Sequence, residues 1–197
     1  VGDTIDIFQE GLRIGPTRIV RGGEVDQQII DLIALNSRFP TAIVGDLMAE
    51  FTACRTGVAC FRTIVERFGW PQVSLSIDEI FRQAEELDRV SVKEIPDGIY
   101  SAEGALDNDG VTSDPINVKV TVRIENDEME VDLTGSSTQC IGSVNSGRVQ
   151  TRSAIEQAYK FLVNPSTTVS GGNFRNLKTI IPKGSCFNPT ETAPCLH

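Results

Sequence analysis

The chain has 197 residues, 40% of them apolar and 23% charged, with a formal net charge of −9. That balance suits a soluble, folded chain, either one ordinary domain or part of a larger one, rather than a disordered one. So acidic a chain repels phosphate backbones, which argues against electrostatic nucleic-acid binding, and no apolar run approaches the roughly 20 residues that span a bilayer.

Val1-Gly2-Asp3 offers neither an initiator Met nor the basic and apolar regions of a signal peptide, so the chain is expected to begin inside a longer coding sequence. Residues 1–23 carry turn chemistry at Gly11, Gly15-Pro16 and Gly22-Gly23, and read as a loop with extended pieces around Ile5–Phe8 and Thr17–Val20. Glu24 is expected to open a helix with Val25, Ile29, Leu32, Ile33 and Leu35 on one stripe, closed by Pro40. A longer helix follows. Leu47, Phe51, Cys54, Val58, Phe61, Val65 and Phe68 alternate spacings of four and three, the heptad rhythm of a helix packed lengthwise on a partner helix. Gly69 ends it. A third helix is predicted from near Ser76, with Glu79 at capping-box spacing and Ile77, Ile80, Phe81, Ala84 and Leu87 inward.

After Pro96 the period changes. Gly98–Leu106 reads as a strand, and Asp107-Asn108-Asp109-Gly110 as a turn. Ile116, Val118, Val120, Val122 and Ile124 alternate with polar neighbours, and Met129, Val131 and Leu133 bring the chain back as the second arm of an antiparallel hairpin. An irregular stretch runs to Gly147. A helix is then predicted over Val149–Val163, with Ala154, Ile155, Ala158, Phe161 and Leu162 inward, and a short strand over Leu177–Ile181. The expected class is α+β: a helical first half with one long helix, then an antiparallel hairpin or sheet with a further helix. Residues 1–96 form a loop plus helical segment and residues 97–197 an α+β segment, both read as parts of one larger subunit.

The chemistry-bearing residues are sparse. The one histidine is His197, so a histidine dyad or histidine-rich metal site is not expected within the chain, and no metal ligands are assigned. The five cysteines have no CxxC pair and an odd count, which reads as reduced thiols of a cytoplasmic protein. Asp107–Gly110 lacks the downstream Glu of a calcium loop, and Gly142–Gly147 has phosphate-loop glycine spacing without the Lys-Ser/Thr that follows in such loops. Asp46 and Glu50, one helical turn apart, suit a solvated face better than an acid–base pair.

Five stretches together resemble the hydantoinase B/oxoprolinase family. They are Ile7–Ile14 with Val20–Glu24, Gly45-Asp46-Leu47, Ile95–Tyr100 with the Asp107–Gly110 turn, Val131–Ser137 with Gly142–Asn145, and Asn173-Phe174-Arg175 with Ile181–Ser185 and Phe187-Asn188-Pro189. The resemblance implies a two-component machine that opens cyclic amides such as hydantoins or 5-oxoproline. A hydantoinase A-type subunit or domain would use ATP and Mg to phosphorylate the substrate carbonyl oxygen. The complete B-type subunit, with a divalent metal, would finish the reaction by attack of water, and the assembly is expected to be oligomeric. No cofactor is assigned to this chain itself. The family's Asp- and His-rich segments lie upstream of the stretch matched at Glu10, so the chain alone is expected to be inactive. Within it, Glu10 and Arg13 are the candidate catalytic residues: a carboxylate that could orient water, and a forked donor for a carboxylate or phosphoryl oxygen. They could equally pair with each other and pin their loop. Gly11, Asn145 and Asn173 are candidate substrate-binding positions. Two other readings stay open, a B-like segment of an ATP-dependent ketone carboxylase and a non-catalytic scaffold that binds a partner helix.

Overall fold

Four helices and two sheets organise residues 4–195, the residues that the computed structural model describes. His197 and the other terminal residues lie outside them. By contacts the chain divides into one unit of Gly11–Ser76 and another that joins the residues through Glu10 to those from Ile77 on. The division falls within a helix rather than at 96/97, where the sequence changes character.

In the Gly11–Ser76 unit, β1 (Val20–Arg21) and β2 (Glu24–Val25) form a small hairpin across Gly22 and Gly23, whose φ of 60° and 89° favour glycine. Glu24 therefore pairs in a strand instead of opening a helix. The helix α1 (Gln27–Leu35) starts later, where the Asp26 carboxylate accepts the Gln28 N–H at 3.2 Å, and it buries Ile30. Next comes α2 (Pro40–Phe68), with Pro40 in its first turn and Gly69 at its C-cap, where the Gly69 N–H donates to the Val65 carbonyl at 2.8 Å. The long helix is where its heptads predict it, but none of its residues is buried. Phe61 is 44% exposed and Phe68 54%, so within the described residues the seam has no lengthwise partner.

The third helix, α3 (Trp70–Lys93), begins six residues before the predicted start. Ser76 is interior to it and bonds back to the Gln72 carbonyl at 2.9 Å instead of capping. The apolar stripe is also displaced. Val73 and Val92 are buried, whereas Ile80 and Leu87 stay about half exposed. A 3-10 turn, Ile7–Gln9, replaces the extended piece expected near Ile5–Phe8, because the Asp6 carboxylate caps it through the Phe8 N–H at 2.8 Å.

The larger sheet has the order β3-β4-β5-β6. β3 (Gly98–Leu106) pairs antiparallel with β4 (Ile116–Glu125), which turns through Asn126 at φ 55° into β5 (Glu128–Asp132). β6 (Leu177–Ile180) runs parallel to β5, which requires a crossover, and α4 (Arg148–Val163) lies within that connection. The class is α+β as read, with a mixed sheet. Period-two alternation puts Ile116, Val118, Val120, Val122 and Ile124 on one face, and Lys119 and Arg123 on the other, where they meet Glu103 at 2.9 Å and Glu130 at 3.9 Å.

The core of this unit is Val92 from α3, Ile124, Met129 and Val131 from the sheet, and Tyr159 and Val163 from α4. Burying each such side chain contributes about 1.5–3 kcal/mol. The inward face of α4 differs from the predicted one. Thr151, Tyr159 and Val163 are buried and Ile155 packs beside them, while Phe161 is 71% and Leu162 64% exposed. Thr and Tyr can face inward here because their hydroxyls are satisfied. Thr151 donates to the Phe187 carbonyl at 2.9 Å and Tyr159 to Asn176 Oδ1 at 2.8 Å.

Candidate functional site

Four irregular segments converge in the sheet-bearing unit: the turn before Glu10, the Asp109 turn, residues 140–146 and residues 185–195. Asn145 is their centre. It is 1% exposed, its Oδ1 accepts the Cys140 N–H at 2.7 Å, and its Nδ2 faces the carbonyls of Cys140, Gly142 and Pro194 at 3.0, 3.1 and 2.9 Å. One residue beyond Pro194, the Cys195 N–H donates to Glu10 Oε1 at 2.7 Å, and the Ile7 N–H reaches the Thr192 carbonyl at 3.2 Å. Glu10 and Asn145 are thus held by the same strap. Asn145 spends its amide on backbone, whereas the Glu10 side chain stands at the exposed rim.

Asp109 locks the second side of this junction. Its Oδ1 accepts the backbone N–H groups of Val111 and Thr112 at 2.9 and 2.6 Å, and its Oδ2 accepts the Gly142 N–H at 2.9 Å. These donors, led by Thr112 and Gly142, hold its carboxyl far below the usual carboxylate range. A Cβ on Gly142 would lie 2.0 Å from the Asp109 carbonyl oxygen, so only glycine permits this approach. The Asp-Asn-Asp-Gly turn signalled Asp109 as a turn residue. Nothing local signalled the clamp on Gly142, 33 residues away.

Asn173 sits in a separate network. Its Nδ2 donates to Asp88 Oδ2 at 2.9 Å, Asn164 donates to Asp88 Oδ1 at 2.9 Å, and the Asn173 Oδ1 accepts the Ser170 N–H at 2.8 Å. Asp88, fully buried on α3, is the residue that sequence reasoning missed. The Gly171-Gly172 pair serves the same approach: a Cβ on Gly172 would meet the Phe81 carbonyl oxygen at 1.9 Å. Beside it Arg175 and Arg89 both engage Glu85, at 3.1 and 3.0 Å, and hold its carboxyl below the usual range, Arg175 most strongly. Gly11, at φ 137°, and Arg13 belong to the Gly11–Ser76 unit, where Arg13 is exposed.

The junction offers no activated thiol. Burial pushes Cys140 up to about 11, with Cys186 and Asp109 adding to the effect, and burial also raises Cys186 and Cys195. At neutral pH all three are protonated and poor nucleophiles. All five cysteines are free. Among the described residues no three His, Cys, Asp or Glu side chains converge to hold a metal ion, so the residues present do not fit the divalent metal implied by the sequence resemblance. No described helix is long and apolar enough to cross a membrane.

The family model for hydantoinase B/oxoprolinase matches residues 2–197. The chain is 30% identical to a protein of Pseudomonas sp. (strain NS671) named as a D-/L-hydantoinase subunit of the B type, over 98% of its own length and 35% of that protein's. It is 28% identical to the beta subunit of the caprolactamase of Pseudomonas jessenii, over 98% of its length and 33% of that protein's. The crystal structure of the ATP-dependent caprolactamase from that organism superposes with a TM-score of 0.87 at 27% identity, covering 96% of this chain and 33% of that one. An acetone carboxylase structure shares the fold at a TM-score of 0.84 and 16% identity, over 97% of this chain and 27% of that one. The chain spans about a third of the length of the hydantoinase and caprolactamase subunits it matches.

Proposed function

Since the chain belongs to the hydantoinase B/oxoprolinase family, we propose that it serves as a segment of the B-type subunit of an ATP-dependent cyclic-amide hydrolase, one that opens a hydantoin, lactam or 5-oxoproline ring. The observation that carries this reading is the agreement along nearly the whole chain with a hydantoinase and with an ATP-dependent caprolactamase. The ketone-carboxylase alternative has weaker support, because the acetone carboxylase shares the fold at much lower identity.

In this reading an A-type component binds ATP and Mg and activates the amide carbonyl by phosphorylation. The B-type subunit receives the activated amide and delivers water in a reducing, cytoplasmic setting. Glu10 is the side chain of this segment best suited to orient a water or ligand, because its carboxylate is exposed while the strap through Cys195 fixes its position. Arg13 supplies a forked donor for an anionic oxygen, and Gly11 lets backbone approach the ligand. Asn145 and Asn173 act as positioning residues, since their amides are occupied by Pro194 and Asp88 inside the chain.

The test is made in the complete enzyme with its ATP-binding component. Glu10→Gln and Arg13→Lys should each lower ATP-coupled ring opening by about tenfold or more, or ~1.4 kcal/mol in the barrier, with the melting temperature held. Turnover that is unchanged, or that falls in step with stability, removes these residues from the site.

A further inference from the structure

The apolar face of the larger sheet is only partly roofed. Strands lie about 4.8 Å apart, so four of them present a width of about 14 Å between outer strands, and one helix about 10 Å across covers roughly two. Here α4 is that helix along most of the face, with the C-terminal end of α3 adding Val92 over Ile124 and Met129, and the α4 backbone comes nearest to β6. Over β4 this leaves a cavity of about 350 Å³ lined by Val120, Val122, Val131, Ala158, Tyr159 and Leu162. Next to it on β3, Tyr100 and Leu106 share the apolar face through their pairing with Val122 and Ile116 and are 45% and 50% exposed.

The chemistry of the lining decides what can enter. Its polar atoms are already bonded: the Thr151 hydroxyl to Ser146 Oγ and the Phe187 carbonyl, and the Tyr159 hydroxyl to Asn176. No buried side-chain N or O among the described residues lacks a partner. A cyclic amide placed here would lose hydrogen bonds to water and find the lining's hydroxyl donors already engaged, which disfavours it. An apolar helix face would gain burial without that penalty.

We propose that this opening is the seat of a second helix, running beside α4 over β3 and β4, contributed by the remaining part of a full-length B-type polypeptide. The inference rests on reading the chain as a B-type segment. Its occupant is argued from length: relatives that match nearly all of this chain are about three times as long, so about two-thirds of their polypeptide is available to cover the face. The docked helix would place leucine- or valine-sized side chains into the cavity and turn its polar side outward.

The experiment compares the isolated 197-residue chain with a chimera in which it replaces the matched third of the hydantoinase relative. Ala158→Cys faces the cavity, and Gln157→Cys, which lines a different hollow beside α4, serves as the control. Native thiol labelling is read residue by residue from peptide masses. In the isolated chain both new cysteines should label freely. In the chimera Cys at 158 should slow by about tenfold or more while the control stays reactive. Equal labelling of 158 in both contexts overturns the proposal. So does protection of 158 already in the isolated chain together with a dimer mass in sedimentation, which assigns the seat to a second copy. As a second measurement, Ala158→Asp should leave the melting temperature of the isolated chain unchanged, and a large fall would show the cavity to be closed core and overturn the seat. Hydrolase activity is not read, so failure of the ring-opening assignment would leave this result standing.

Discussion

The two units use apolar side chains in opposite ways. In Gly11–Ser76, α2 runs 29 residues without burying one, and Ile30 and Val73 are the buried hydrophobic side chains. In the unit around the larger sheet, a contiguous core spans α3, β4, β5 and α4, and polar groups such as Asp88, Asp109 and Asn145 are buried with their partners. A periodic apolar stripe therefore specifies a helix and a face that favours cover. It does not specify that the cover comes from the same chain.

That contrast can be broken by substitution. The largest effect is expected at Val92→Asp, which puts an unpaired charge at a fully buried position and should destabilise by about 3–5 kcal/mol, read as loss of cooperative thermal unfolding in the isolated chain. Asp109→Ala removes the acceptor for four donors and should cost about 2–3 kcal/mol, measured by urea unfolding. Its acid behaviour sharpens the same point. The folded carboxyl is held below its unfolded value, so the stabilisation is complete above the unfolded pKa of about 3.9 and is lost as pH falls through the folded one. The wild type minus Asp109→Ala difference should stay flat from about pH 8 to 5 and shrink only below about pH 4. The smallest effect belongs to Phe61→Asp. Phe61 is 44% exposed and meets the Trp70 ring edge-on at 6.4 Å, so less than about 1 kcal/mol should be lost. A collapse at Phe61 as deep as at Val92 would mean that the seam is covered in solution, and the contrast would fail.

Much of the fold was legible where one period dominates. The strands at Gly98–Leu106 and Ile116–Glu125 and the hairpin return follow from alternation, because each pairs with its neighbour in sequence. Boundaries failed where two local signals competed. Ser76 with Glu79 mimics a helix start, yet Trp70-Pro71 after Gly69 begins the helix earlier. Gly22-Gly23 makes a hairpin that takes Glu24 from the helix. At the candidate site the motif stretches contain Glu10, Asn145 and Asn173, but they do not signal the inward turn of the two asparagines. Those orientations depend on Pro194 and Asp88, 49 and 85 residues away, and no window of sequence contains both partners.

The strap that fixes Glu10 also carries a kinetic consequence. Its Cys195 donor is 185 residues distant along the chain, so this contact closes a very long loop. During synthesis at roughly 5–20 residues per second, the segment around Glu10 waits roughly 10–40 s for the backbone that will hold it. Until then the strap cannot fix this carboxylate in place. The position of Glu10 is a late product of folding, set only after the intervening core has had time to form.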